Sequence, residues 1–162
     1  KGVMWEQAVH MPFYVYHPNL EAGEREGFVE HVDVFPTVCD YLGVPIPSGV
    51  QGRSLRPLLD GGQTPRDWRA YAFCQLNDDC MIQTLRWKLV YENGRPVYLF
   101  DLQADPEESY NVMDDYPGVV AELSGFLRRD HPDLFEANEK IRQSNRYRKK
   151  KRKPGIALLE TP

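Results

Sequence analysis

Four short runs of β-forming residues follow one another between Tyr71 and Phe100, and no other stretch of the chain restricts the fold as tightly. Tyr71–Leu76 is followed by the polar turn Asn77-Asp78-Asp79, then by Met81–Leu85 and Trp87–Tyr91. Asn93-Gly94, a strong two-residue hairpin signal, leads into Val97–Phe100. Connections this short join only antiparallel neighbours, because a parallel pair needs a crossover of a dozen residues or more. The reading is a four-stranded meander. Lys88 between Trp87 and Leu89 predicts one wet face and one packed face. A packed face needs a cover, and Gly118–Arg129 supplies one: Val119, Leu123, Phe126 and Leu127 recur on one side of a helix.

Upstream, Val9–Tyr16 is rich in aromatic and β-branched residues and predicts a buried strand, with Pro12 favouring a strand start or edge. A loop over His17–Glu24 follows. Asp33 is the expected N-cap of a helix that takes Pro36 in its first turn, where the missing N–H is harmless. Val34, Val38, Tyr41 and Leu42 form its apolar stripe, and Gly43 ends it as a left-handed cap. Residues 44–69 are rich in Pro and Gly and read as a connection between two layers, with at most one helical turn at Leu55–Leu59.

The chain has 162 residues, 41% hydrophobic and 27% charged, which suits an ordinary globular domain. It contains no apolar run of the roughly 18 residues a spanning helix needs. Lys1 opens no signal peptide, and structure begins so abruptly that the chain reads as a fragment or a processed piece. Eight of the 20 Lys and Arg fall within residues 142–153, leaving 12 cations against 23 acids, a net −11, over residues 1–141. An acidic body repels polyanions at long range, so neither nucleic acid nor a membrane is an expected partner. The basic run reads as a solvated tail. Cys39 is expected to be a small buried hydrophobe on its helix. Cys74 and Cys80 flank a short turn and can face each other across two strands. No Cys/His cluster has zinc spacing.

Three stretches together resemble the C-terminal part of the sulfatases, within the alkaline-phosphatase-like superfamily. The first is Lys1-Gly2-Val3-Met4-Trp5-Glu6, running on to Pro12, like the family's active-site lysine segment. The second runs from His31 through Asp33, Pro36 and Gly43 to Gln51-Gly52-Arg53-Ser54-Leu55. The third is Met81–Tyr91 with Leu99-Phe100-Asp101-Leu102, Asp105-Pro106-Glu107-Glu108 and Asn111. The resemblance implies an α/β fold: the end of an alkaline-phosphatase-like α/β domain over residues 1–60, then a small four-stranded antiparallel subdomain with a packed helix over 61–131. Residues 132–162 would be a helical or disordered basic tail. The family's C/S-x-P-x-R nucleophile motif, whose Cys or Ser becomes formylglycine, does not occur in the sequence. The resemblance also places the family's metal ligands in segments before the active-site lysine, so the formylglycine and the divalent metal, calcium in the family, are expected on residues preceding Lys1, and this chain alone is expected to be inactive.

By the same resemblance Lys1 is the catalytic candidate: a fixed ammonium stabilises charge developing on sulfuryl and leaving oxygens. The turn Asn77-Asp78-Asp79 would lean over the mouth of the site and read the part of the substrate beyond the sulfate. His10 stands where the family often has Arg and is a further substrate-binding candidate, against the alternative of a hydrogen-bonded core histidine. Glu6, His31, Arg53 and Lys88 read as structural. The expected partners are the N-terminal sulfatase portion, a sulfated small molecule or sugar, and a second copy through self-association. Two rival readings are the same portion of a phosphonate monoester hydrolase or phosphodiesterase, and a non-catalytic interaction module.

Overall fold

A computed structural model of the chain describes residues 4–61 and 63–135. Lys1 and the basic run 142–153 lie outside the described residues. The order of elements is α1 (Glu6–Val9), a 3-10 turn (His31–Asp33), α2 (Val34–Leu42), α3 (Arg56–Gly61), β1 (Ala72–Leu76), β2 (Asp79–Gln83), β3 (Trp87–Glu92), β4 (Arg95–Asp101) and α4 (Pro117–Asp130). The sheet is the expected antiparallel meander in the order β1-β2-β3-β4. Asn93 (φ 51°) and Gly94 (φ 71°) take the two left-handed positions that the β3–β4 turn demands.

Both faces of this sheet are packed, which corrects the expectation of a wet one. On one face Cys80, Ile82, Leu89, Tyr91 and Leu99 meet Leu123 and Leu127 of α4. On the other, Met81, Val90 and Phe100 are covered by Met4, with Trp5 and Val9 beside it. Trp5 lies against Tyr98 and Phe100 at centroid distances of 5.4 and 5.1 Å. Alternation in a strand reveals that two faces differ, not what covers the second, and here the cover comes from residues about 80 positions away. The same geometry separates Cys74 from Cys80. Cys74 is registered opposite Met81, Cys80 opposite Gln75, and the two thiols fall on opposite faces as free cysteines.

Val9–Tyr16 is not a strand. α1 ends at Val9, and residues 10–16 have no regular structure. Pro12 has no N–H to give, and no strand among the described residues pairs with this stretch. Tyr14 and Tyr16 stand 92% and 90% exposed.

α2 forms where expected and stops at Gly43 (φ 66°), whose left-handed turn lets Val44 N–H reach the Cys39 carbonyl at 2.9 Å. Its inward face, however, is Pro36, Thr37 and Cys39, while Val34, Phe35, Val38 and Leu42 point outward. Asp33 does not cap α2 with its side chain. Its wholly buried carboxylate accepts the N–H of Glu30 (2.8 Å), the N–H of Arg53 (2.9 Å) and Arg69 Nη2 (2.6 Å). Thr37 Oγ1 donates to the Asp33 carbonyl and accepts the Leu55 N–H. Gly52 is required at this knot, because a Cβ there would lie 1.9 Å from the Val32 carbonyl oxygen. Glu30 carries the knot to the sheet, accepting the Phe73 N–H of β1 (2.8 Å) and pairing with Arg69 (2.7 Å).

Candidate functional site

The described residues nearest Lys1 in sequence are held by an ionic cluster on the α1 face of the sheet. Lys88 sits mid-strand in β3, fully buried, and a buried ammonium needs charged partners. It has two: Glu108 Oε1 at 2.6 Å and Glu6 Oε2 at 3.2 Å. Glu108 Oε2 then accepts the backbone N–H of Glu6 at 2.7 Å. The other oxygen of Glu6 receives His10 Nδ1 at 2.8 Å and Gln83 Nε2 at 3.5 Å. Met4-Trp5-Glu6 is thus fixed by apolar contact on one side and by charge and a main-chain hydrogen bond on the other.

Glu108 reaches this position through the loop after β4, and the acidic motif there is its scaffold. Asp101 binds Arg86 through both oxygens, with contacts of 2.8–3.1 Å that hold its carboxyl below the usual carboxylate range. The Asp105 N–H bonds the Asp101 carbonyl at 2.8 Å, and the Asp105 carboxylate accepts the Tyr110 N–H, also at 2.8 Å. Asn111 satisfies the edge of β4, accepting from Leu99 N–H and donating to the Val97 carbonyl, both at 3.0 Å. Glu108 itself adopts φ 54°, a left-handed backbone that is unfavourable for a non-glycine residue.

The other candidates lie elsewhere. Asn77 (φ 56°) and Asp78 form the exposed β1–β2 turn. Asp79 is the first residue of β2, not part of the turn, and its Oδ1 accepts the Asn93 N–H at 3.0 Å, tying the two hairpin tips together. His10 is an exposed residue paired with Glu6, not a core histidine. It belongs to the Gln83 end of β2, whereas Asn77–Asp79 belong to the other end, about 13 Å away for four strand steps. The structure therefore does not bring His10 together with the turn. His31 opens the 3-10 turn, and Arg53 lies over Trp68 at 5.4 Å, both structural placements. A groove of about 370 Å³ is lined by His17, Asn19, Tyr41, Arg56 and Asp60, but Arg56 is occupied by Asp40 and Asp60. Among the described residues no group of three or more His, Cys, Asp or Glu side chains is arranged to hold a metal ion.

Sequence reasoning did not pair Lys88 with Glu108. The signal was a lysine inside Trp-Lys-Leu-Val-Tyr, a run too apolar to leave it in water.

A family model described as N-sulphoglucosamine sulphohydrolase, C-terminal, matches residues 1–130. Arylsulfatase K of Canis lupus familiaris is 32% identical over 143 residues, 79% of this chain and 27% of the relative. Among solved structures, BT4656 in complex with its substrate D-glucosamine-2-N,6-O-disulfate superposes with a TM-score of 0.54 at 31% identity, covering 65% of this chain and 24% of that one. The phosphonate monoester hydrolase of Silicibacter pomeroyi superposes with a TM-score of 0.56 at 31% identity, covering 70% and 26%. The chain thus spans about a quarter of the length of the proteins it matches.

Proposed function

The chain belongs to the N-sulphoglucosamine sulphohydrolase C-terminal family, and from that premise we propose that it is the C-terminal portion of an enzyme that hydrolyses sulfate esters. The observation that carries this reading is the match over residues 1–130, which takes in Lys1 and all three motif stretches in order. In this reading Lys1 places its ammonium against the transferring sulfate and stabilises the charge that develops on its oxygens. Asn77, Asp78 and Asp79 contact the substrate beyond the sulfate, and His10 is a further binding residue. A sulfated sugar is the substrate class, by analogy with the disulfated glucosamine bound by BT4656.

The formylglycine and the divalent metal would supply the nucleophile and the polarisation of the sulfate. This chain does not fit either group: it has no C/S-x-P-x-R motif and gathers no metal-ligand cluster among its described residues. Both are assigned to residues preceding Lys1. The outward stripe Val34, Phe35, Val38 and Leu42 supports a missing neighbour, because a helix that exposes its apolar side needs a cover. We assign that cover to the same preceding portion.

The test is an assay of the longer gene product against an aryl sulfate and against a phosphonate monoester. Turnover of the sulfate supports the proposal. Preferential turnover of the phosphonate favours the second reading, which the Silicibacter structure supports equally well in fold. The 162-residue chain alone should turn over neither. Lys1→Ala in the active enzyme should lower kcat by about a hundredfold or more, and an unchanged kcat refutes its role. Replacing Asn77–Asp79 with Ala should reduce kcat/KM more for the sulfated sugar than for the aryl sulfate.

A further inference from the structure

We propose that Lys88, Glu108 and Glu6 form a clamp that positions Lys1, so that residues of the small sheet set the register of the active-site lysine. The inference rests on the reading above that Lys1 acts on the sulfate. Lys1 is three residues before Met4, and three residues of chain reach at most about 11 Å. Whatever fixes Met4-Trp5-Glu6 therefore limits where the lysine can act.

Apolar contact alone would hold this segment loosely in register. Met4 and Trp5 bury against Phe100 and Tyr98, a contact that is non-directional and selects no single main-chain group. The contact from the Glu6 N–H to Glu108 Oε2, at 2.7 Å, is directional and specific to one residue of the chain. Lys88 fixes the two carboxylates relative to each other, at 2.6 and 3.2 Å. Two features of this arrangement carry a cost that apolar packing alone would not. A fully buried ion pair is often no better than well-packed hydrophobic residues of similar volume. Glu108 also holds a left-handed backbone that a glycine would adopt without strain, and a glycine would bring no carboxylate. A buried carboxylate at a strained position, hydrogen-bonded to the main chain five residues after Lys1, is suited to position that segment.

The experiment uses the longer, active enzyme with Glu108→Gln as the lead variant, since it keeps the shape and an acceptor while removing the charge. Lys88→Met is the second variant and Lys88→Arg the conservative rescue. The readouts are kcat and KM on an aryl sulfate, thermal melting, and hydrogen exchange of the peptide spanning residues 4–10. The proposal expects exchange of that peptide to quicken at least tenfold, with the peptides of β2 and β4 unchanged. It expects kcat to fall about 10- to 100-fold, the scale of a misplacement of about 1 Å, with KM within threefold and partial recovery in Lys88→Arg. Faster exchange with unaltered kcat overturns the positioning role and leaves a structural tie. Unchanged exchange overturns the clamp itself. A wild-type enzyme with a protected 4–10 peptide but no turnover of any sulfate ester overturns the positioning role through the parent reading, and the protection distinguishes that failure from failure of the clamp.

Discussion

Asp33→Ala should be among the most damaging single substitutions in residues 4–61. The wild-type carboxylate is wholly buried and accepts three hydrogen bonds. Alanine leaves the N–H groups of Glu30 and Arg53 without acceptors, at about 1–3 kcal/mol for each buried donor. Arg53 is exposed as a residue, so its amide belongs at the lower end. Arg69 loses one carboxylate but keeps Glu30 at 2.7 Å, so its guanidinium is not left alone. The loss comes to about 3–4 kcal/mol, in line with breaking a buried charge pair and a large share of a typical domain's stability. Asp33→Asn should cost less, about 2–3 kcal/mol, because one amide oxygen can still serve Arg53 and Arg69 while its NH₂ faces the Glu30 N–H. Urea unfolding of the 162-residue chain followed by circular dichroism measures this. With a slope of about 2 kcal/mol/M, the midpoint for Asp33→Ala should fall by about 1.5–2 M. Gly52→Ala, which drives a Cβ into the Val32 carbonyl, should destabilise through the same contact by about 1–3 kcal/mol. A midpoint drop below about 0.5 M for Asp33→Ala, with the slope unchanged, would refute the knot.

Two further outcomes follow from charge and burial. The Arg129 guanidinium holds the Asp130 carboxyl down at about 2 from an ordinary 3.8, with help from the Tyr71 hydroxyl, which donates to it. A lowered carboxylate contributes stability that is complete above about pH 4 and is lost as pH falls toward 2. The pair is partly exposed, so the contribution is at most about 1 kcal/mol. Melting curves of wild type and Asp130→Asn should therefore converge over that window, and a gap that persists at pH 2 contradicts the assignment. Burial pushes the Cys80 thiol up to about 12, with Asp79 adding to it. Cys80 should resist a thiol reagent at pH 8 in the folded chain, and mild oxidation should not link it to Cys74, which mass spectrometry of the non-reduced chain can check.

What was legible in the sequence was local. The meander could be read because its connections are two or three residues long and Asn93-Gly94 admits few conformations. α4 could be read because Leu123 and Leu127 are one helical turn apart and both enter the core. Asn77-Asp78 forms the turn its composition predicts, whereas Asp79, which the same polarity suggests belongs to it, opens β2. The clamp is not legible, because Glu6 lies 82 positions from Lys88 and 102 from Glu108 and each looks ordinary alone.

The two misread stretches share one physical cause. In α2 the periodicity of Val34, Val38 and Leu42 was real, but the face it marks points outward, while the smaller Thr37 and Cys39 face the chain's own interior. In Val9–Tyr16 the apolar content is real, but no strand among the described residues pairs with it. A hydrophobic period says that a face needs covering, and it is silent on whether the cover lies in the same chain. Lys88 is the converse case, since a charge that should mark a wet face is fully buried because α1 folds over it. Where the neighbour is within the chain, polar residues are sealed in. Where no described neighbour covers a face, apolar residues stay exposed. Both the outward stripe and the described residues that follow Lys1 precede Gly43, so on the proposed function the preceding portion would sit beside the N-terminal third. That is where the proposed function needs the nucleophile, whose motif this sequence does not contain, and the metal ligands, which its described residues do not gather.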